Sequence, residues 1–388
     1  MADAAIAFAR NGWDVYFVSV EPTSPFFSGK GRETMLQLLQ KGNAPVRIIS
    51  AKAGREFEFG TQRYREFVYK QLLAKVPKGT PVILSDDVAI WEAATFMNGT
   101  YPVVGVLHAD EEHYYTLAEK YFRKVAIFAC VSERVKKTTL QRIPGINPEV
   151  LYTIPCGINL PAVDLSGHNG DVLQLVYVGR VSEYQKRISD LVKICSLLHR
   201  NGKVFHLDII GDGEEKASLE NKFKEAGLTS MVTFYGWLSQ KEVGERLVVS
   251  DILILTSDFE GTPVAMMEAL AAGCGIVGTR VSGIEDYELQ PLAADCYAVF
   301  DVGKIDEAVS KINKIAAIPI SVRRPSARKM AENEFSIVVC LERYAKALAS
   351  IKSDKQMPEA KVGLPFQSLL YSRAIALARY LKVSMTRK

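Results

Sequence analysis

Residues 252–273 read ILILTSDFEGTPVAMMEALAAG. The apolar run 252–256 fits a strand buried on both faces. A polar turn, 257–263, follows it. An apolar segment, 264–272, then stops at Gly273, a usual residue past a helix end. Thr262 is placed to cap this helix and Pro263 to take its first position, where a missing N–H costs little. A strand–loop–helix unit of this kind offers the free N–H groups of the helix start to an anion. Two carboxylates belong to it. Glu260 lies in the loop, and Glu268 lies on the helix between Met267 and Ala269, which predicts a buried or cleft-facing group.

The same alternation runs through the chain. Further strands are expected at 15–20, 46–50, 82–85, 103–107, 125–131 and 151–154, then at 173–178, 205–210, 232–235, 275–279 and 298–300. Helix-period segments such as 191–198 and 305–315 lie between them. Apolar strands separated by helices imply parallel sheets, hence an α/β, doubly wound class. At 388 residues the chain exceeds one ordinary core and fits two domains of roughly 150–200 residues. The boundary is expected at 160–171, LPAVDLSGHNGD, the most polar and Gly/Pro-punctuated passage in mid-chain. The expected units are 1–160, 171–334 and 335–388.

Composition narrows the function. Hydrophobic residues are 48% and charged residues 24%, an ordinary globular balance. A net charge of +4 without a zinc-finger, RRM or basic-zipper pattern gives no reason to expect a nucleic-acid partner. The cysteines are dispersed, with no CxxC spacing, as in a reducing compartment. No signal peptide is read at the start and no apolar run reaches the ~18 residues needed to span a bilayer. The expected location is therefore cytoplasmic, with peripheral contact at the inner membrane face. That contact would come from 361–388, which carries six basic residues and no acid. A helix there packed back on the first domain is the alternative.

Three more loops follow strands in the second half. Gly179-Arg180 leads to Lys186-Arg187, where a glycine permits a sharp turn and two cations can neutralise a diphosphate. Ile210-Gly211-Asp212-Gly213 is a glycine turn, and Ser282-Gly283-Ile284-Glu285 supplies backbone amides. Ligands in open parallel sheets sit at the carboxyl ends of strands. Four such loops on one sheet edge predict a nucleotide-diphosphate site.

The segments GR…QKR, IIGDG, SDFEGTPVAMMEALAAG and VSGIED, in this order, resemble the retaining GT-B glycosyltransferases of family 4, also called group 1. The resemblance is clear over 151–348 and diffuse before it, and Glu260–Glu268 matches the family's E-x7-E motif. It implies two Rossmann-like domains facing across a cleft. It also implies roles. Arg180 and Lys186 would bind the departing diphosphate, and Glu268 would accept hydrogen bonds from ribose hydroxyls. Glu260 would contact the donor sugar, and His108, after strand 103–107, would lie near it. Gly179, Gly211 and Gly283 would line the donor. The amides of Gly261, Thr262 and Val264 would face sugar and phosphates, while Pro263 has no N–H to give. Trp237 and Leu238 stand where the family holds the base; Trp237 reads equally as a stacking platform or as core. Ser132-Glu133 and Cys156–Asn159 resemble structural landmarks of the interdomain side.

The expected activity is retaining transfer of a hexosyl group, glucose by preference, from a UDP-sugar to a polysaccharide or lipid-linked glycan. No residue stands out as a covalent nucleophile, so a front-face displacement is expected. Such enzymes usually need no metal, and Asp86-Asp87 and Asp110-Glu111-Glu112 read as helix starts and loops. No cofactor beyond the donor is implied. Family members usually open with a strand and a glycine-rich loop, whereas Met1 falls inside a helix-like pattern. That bears on transfer rather than on the donor site. The rivals are a nucleotide-sugar epimerase and a GT-B subunit that binds donor without transfer.

Overall fold

The computed structural model describes residues 2–22, 39–53, 61–84, 88–96, 100–165 and 172–351. The expected strand runs are all present, as β1 (Val15–Pro22), β2 (Val46–Ala53), β3 (Val82–Leu84), β4 (Val103–Leu107), β5 (Ile127–Cys130) and β6 (Leu151–Thr153). They continue as β7 (Leu173–Val178), β8 (Phe205–Ile210), β9 (Val232–Gly236), β10 (Ile252–Leu255), β11 (Gly275–Thr279) and β12 (Tyr297–Phe300). Their pairings are parallel.

The second half forms one six-stranded sheet, ordered β12-β11-β10-β7-β8-β9. The chain starts in the middle at β7, grows outward through β8 and β9, then returns to the other side of β7 with β10. The switch point therefore lies between β7 and β10, where the loops of neighbouring strands leave in opposite directions and open a crevice. Side-chain alternation along β10 shows why its four residues are all apolar. Leu253 and Leu255 enter a core with Met266, Met267 and Leu270 of the helix Val264–Ala271. Ile252 and Ile254 enter the opposite core, with Leu191, Ile194 and Leu198 of the helix Ser189–Arg200. Each fully buried aliphatic side chain contributes about 1.5–3 kcal/mol.

In the first half β3-β4-β5-β6 make a four-stranded sheet and β1-β2 a separate two-stranded one. Tyr16, Val18 and Val20 of β1 still pack against the core that holds Leu84, Leu107 and Phe128. The helix Ile337–Ala349 crosses from the second half to the first. Ile158 N–H donates to Phe335 O at 2.8 Å, and Ile337 N–H donates to Ile158 O at 2.8 Å. Cys340 and Ala347 then bury against Val104, Val106, Ile127 and Ala129. This helix begins at Ile337 because the Ser336 side chain caps it, accepting from Val339 N–H at 3.3 Å. The basic segment 361–388 and Asp86-Asp87 lie outside the described residues. No helix among the described residues is long and apolar enough to cross a membrane.

Candidate active site

The loops after β7 and β10 leave from the two sides of the switch point and are knitted together by hydrogen bonds. Asp258 N–H donates to Gln185 O at 2.8 Å, and Gln185 Nε2 donates to Phe259 O at 3.1 Å. Thr256 Oγ1 donates to Lys186 O at 2.6 Å. The next loop joins them, since Thr279 Oγ1 donates to Ser257 O at 2.6 Å. The backbones also close in on one another. A Cβ on Gly211 would overlap Gly179 O, and one on Gly283 would overlap Gly261 O. Both glycines have positive φ (136° and 71°), so each position demands glycine twice over.

At the centre Lys186 Nζ donates to Glu260 Oε1. The Lys186 side chain is 17% exposed and that of Glu260 only 7%. Ser257 Oγ donates to the same carboxylate oxygen at 2.7 Å. A buried carboxylate with a cation and a hydroxyl on it is the arrangement that low-dielectric surroundings require. Lys186 ends a one-turn helix, Glu183–Lys186, closed by Arg187 in the left-handed conformation (φ 45°). A non-glycine residue there is strained by about 1–2 kcal/mol. Arg187 Nε donates to Asp190 at 2.8 Å and its Nη1 to Asp258 at 3.4 Å, contacts that hold the turn and aim Lys186 inward. Arg180 is exposed at the loop's other end. The Tyr177 hydroxyl fixes its backbone, donating to Arg180 O at 2.6 Å. Burial and the Glu260 charge push the Tyr177 phenol up, so it stays a neutral donor.

The helix Val264–Ala271 starts differently from the expectation. Pro263 is its N-cap and makes no side-chain capping bond. Thr262 instead donates from Oγ1 to Val131 O, across to the first half, at 2.6 Å. That contact outcompetes capping because the hydroxyl is buried between the two halves and Val131 O is the acceptor within reach. Val264, the first helical residue, is half exposed, whereas Gly261, Thr262 and Pro263 before it are buried.

Glu268 lies one turn on, half-buried, and accepts from Gln240 Nε2 at 3.3 Å. Burial raises its pKa and the Gln240 hydrogen bond lowers it. Trp237 is 63% exposed, which removes the core reading of this tryptophan, while Leu238 packs against the core beside it. Gln240 and Ser257 escaped the sequence reading. Ser239 and Glu242 announce a helix start as a capping box, but a partner 28 positions away leaves no local trace.

The first half closes over this edge. Gly261 is packed against His108 O, and Asp110 N–H donates to Glu260 O at 3.3 Å. Ser132 Oγ and Ser282 Oγ lie 2.7 Å apart, both buried. Glu133 N–H donates to Asp286 Oδ2 at 2.8 Å, and Arg134 pairs with Glu285 at 2.5 Å. The backbone of His108 thus stands beside the Glu260 loop. Asp110 accepts from the Tyr115 hydroxyl at 2.5 Å, and Glu112 pairs with Arg142 at 2.6 Å. No cluster of three metal-ligating side chains occurs among the described residues.

Known proteins share this architecture. Residues 164–336 match the family model "Glycosyl transferases group 1". The amylovoran biosynthesis glycosyltransferase AmsK of Erwinia amylovora is 29% identical over 186 residues, covering 46% of this chain and 42% of the relative. A lipopolysaccharide 1,6-galactosyltransferase of Salmonella typhimurium is 33% identical over 144 residues, covering 36% and 38%. The chain thus matches less than half the length of these curated relatives. Among solved structures, the lipopolysaccharide outer core galactosyltransferase WaaB superposes with a TM-score of 0.67 at 19% identity, covering 90% of this chain and 94% of that one. Anabaena Alr3699/HepE, solved with UDP and glucose, gives 0.67 at 14% identity over the same shares. The chain therefore has the GT-B fold, and residues 164–336 carry the group 1 glycosyltransferase pattern.

Proposed function

We propose that the protein is a glycosyltransferase that moves a hexosyl group, glucose by preference, from a UDP-sugar to a polysaccharide or lipid-linked glycan, with retention at the anomeric carbon. The observation that carries this reading is the buried Lys186–Glu260–Ser257 group at the switch point, beside the start of the helix Val264–Ala271. Breaking a glycosyl–phosphate bond puts negative charge on the leaving diphosphate. Lys186, exposed Arg180 and the helix N-terminus would stabilise that charge without a metal. The diphosphate takes Lys186 from Glu260, which frees that carboxylate for hydroxyls of the donor sugar. In a front-face displacement the acceptor hydroxyl attacks the anomeric carbon as the phosphate leaves, and its proton passes to the leaving phosphate oxygen. The likeness to amylovoran and lipopolysaccharide glycosyltransferases supports a polysaccharide or lipid-linked acceptor.

The test is UDP release from UDP-glucose and its epimers, with and without acceptor glycans and in EDTA, followed by NMR of the product. Turnover that persists in EDTA, retains configuration and disappears in Lys186→Ala supports the reading. Inversion, or turnover unaffected by Lys186→Ala, overturns it. We assign the work to the inner membrane face through the basic segment 361–388. Co-sedimentation of the full chain with anionic but not with neutral vesicles is the expected result.

A further inference from the structure

The two motif glutamates are held by different chemistry. Glu260 meets a cation, Lys186, and a hydroxyl on one oxygen. Glu268 meets a neutral carboxamide, Gln240 Nε2, on Oε1 at 3.3 Å. We propose that Gln240 is a positioning residue for the ribose half of the donor, orienting the Glu268 carboxylate to accept from the ribose hydroxyls. This rests on the nucleotide-sugar reading above.

A half-buried carboxylate is stable as an anion only when hydrogen bonds replace lost water. An amide does this without cancelling the charge, so the acceptor strength of Glu268 is preserved for a ligand. A lysine at 240 would neutralise it. The geometry is built to hold. Gln240 is the first residue of the helix Gln240–Val249, whose start is locked by a reciprocal capping box: Ser239 N–H donates to Glu242 Oε2 at 2.7 Å, and Glu242 N–H to Ser239 Oγ at 3.3 Å. The Gln240 side chain is exposed, so one N–H serves Glu268 while the rest of the amide faces the solvent side, where a nucleotide would approach.

The test is calorimetric titration of the full chain with UDP and with 2′,3′-dideoxy-UDP, which lacks both ribose hydroxyls. The wild type is expected to prefer UDP by about tenfold or more, the scale of at least one hydrogen bond to a charged group. Gln240→Ala should lose most of that preference, with 2′,3′-dideoxy-UDP affinity nearly unchanged. Gln240→Asn should restore none of it, because its amide falls one methylene short. A purely structural role for Gln240 would weaken both nucleotides equally. That outcome, or an intact preference in Gln240→Ala, overturns the inference while leaving the donor reading standing. Failure of the wild type to bind UDP removes the donor reading and the inference together.

Discussion

The two halves of the molecule solve the same packing problem with unequal success. In the second half six strands form one sheet, and β10, β11 and β12 are buried along their whole length. In the first half the described strands divide into a pair and a set of four, residues 15–20 of β1 are half-buried, and Arg47, Ile48 and Ser50 of β2 are exposed. Ligand-facing loops need a rigid base, because a misplacement of about 1 Å weakens every charge-assisted contact they make. The second half has that base. Its loops approach so closely that glycine is obligatory at 283. The first half contributes backbone carbonyls and amides at His108, Asp110 and Val131, which tolerate more variation in the side chains around them.

The largest effect that can break this contrast is at two positive-φ glycines. Gly283→Ala would drive a Cβ into Gly261 O and strain the backbone; a loss of roughly 3–5 kcal/mol is expected. Gly12→Ala has open space and should cost about 1–2 kcal/mol. Thermal denaturation of both variants checks this, and equal losses would refute the contrast.

Lys186→Ala should cost about 3 kcal/mol, because it leaves Glu260 buried without its cation. Turnover should fall by roughly 10²–10³. The double variant Lys186→Met with Glu260→Gln should recover most of the stability and none of the turnover, which separates the structural from the chemical role.

Between the halves, Ser132→Ala strands the buried Ser282 hydroxyl and should cost about 1–2 kcal/mol in chemical denaturation. Arg134→Ala removes a partly exposed pair with Glu285 and should cost under about 1 kcal/mol, less in high salt.

The smallest effect concerns Glu268. Burial raises its pKa above the ordinary 4.5, so the folded state holds its proton more tightly than the unfolded chain. Stability therefore falls as pH rises from 4.5 to the folded pKa, and the loss is fully present above it. Glu268→Gln removes that loss. Its Tm should gain on the wild type as pH rises above 4.5, while UDP binding weakens; a Tm difference independent of pH would contradict the burial argument.

Much of this was legible in the sequence. The strand runs fell where the apolar patterning placed them, because a strand buried on both faces has no room for polar residues. The loops carrying Gly179, Lys186, Gly211, Glu260 and Gly283 followed from strand ends and glycine chemistry, and the structure brings them to one edge. Thr262 was misread as a cap because capping is a local rule and its acceptor, Val131 O, lies 131 positions away. Exposure of Trp237 was left open, since an aromatic after a strand suits a core or a surface equally.

The sequence by itself determined the elements, their parallel class and the chemical kinds gathered at the strand ends, because periodicity, turn residues and charge act over a few neighbouring positions. Only the tertiary structure decided that the first-half strands divide into two sheets and that Lys186 pairs with Glu260. It alone also decided that Glu268 takes its hydrogen bond from Gln240. Those outcomes depend on which groups are left to share a buried space once the sheets are assembled, and that competition spans the whole chain.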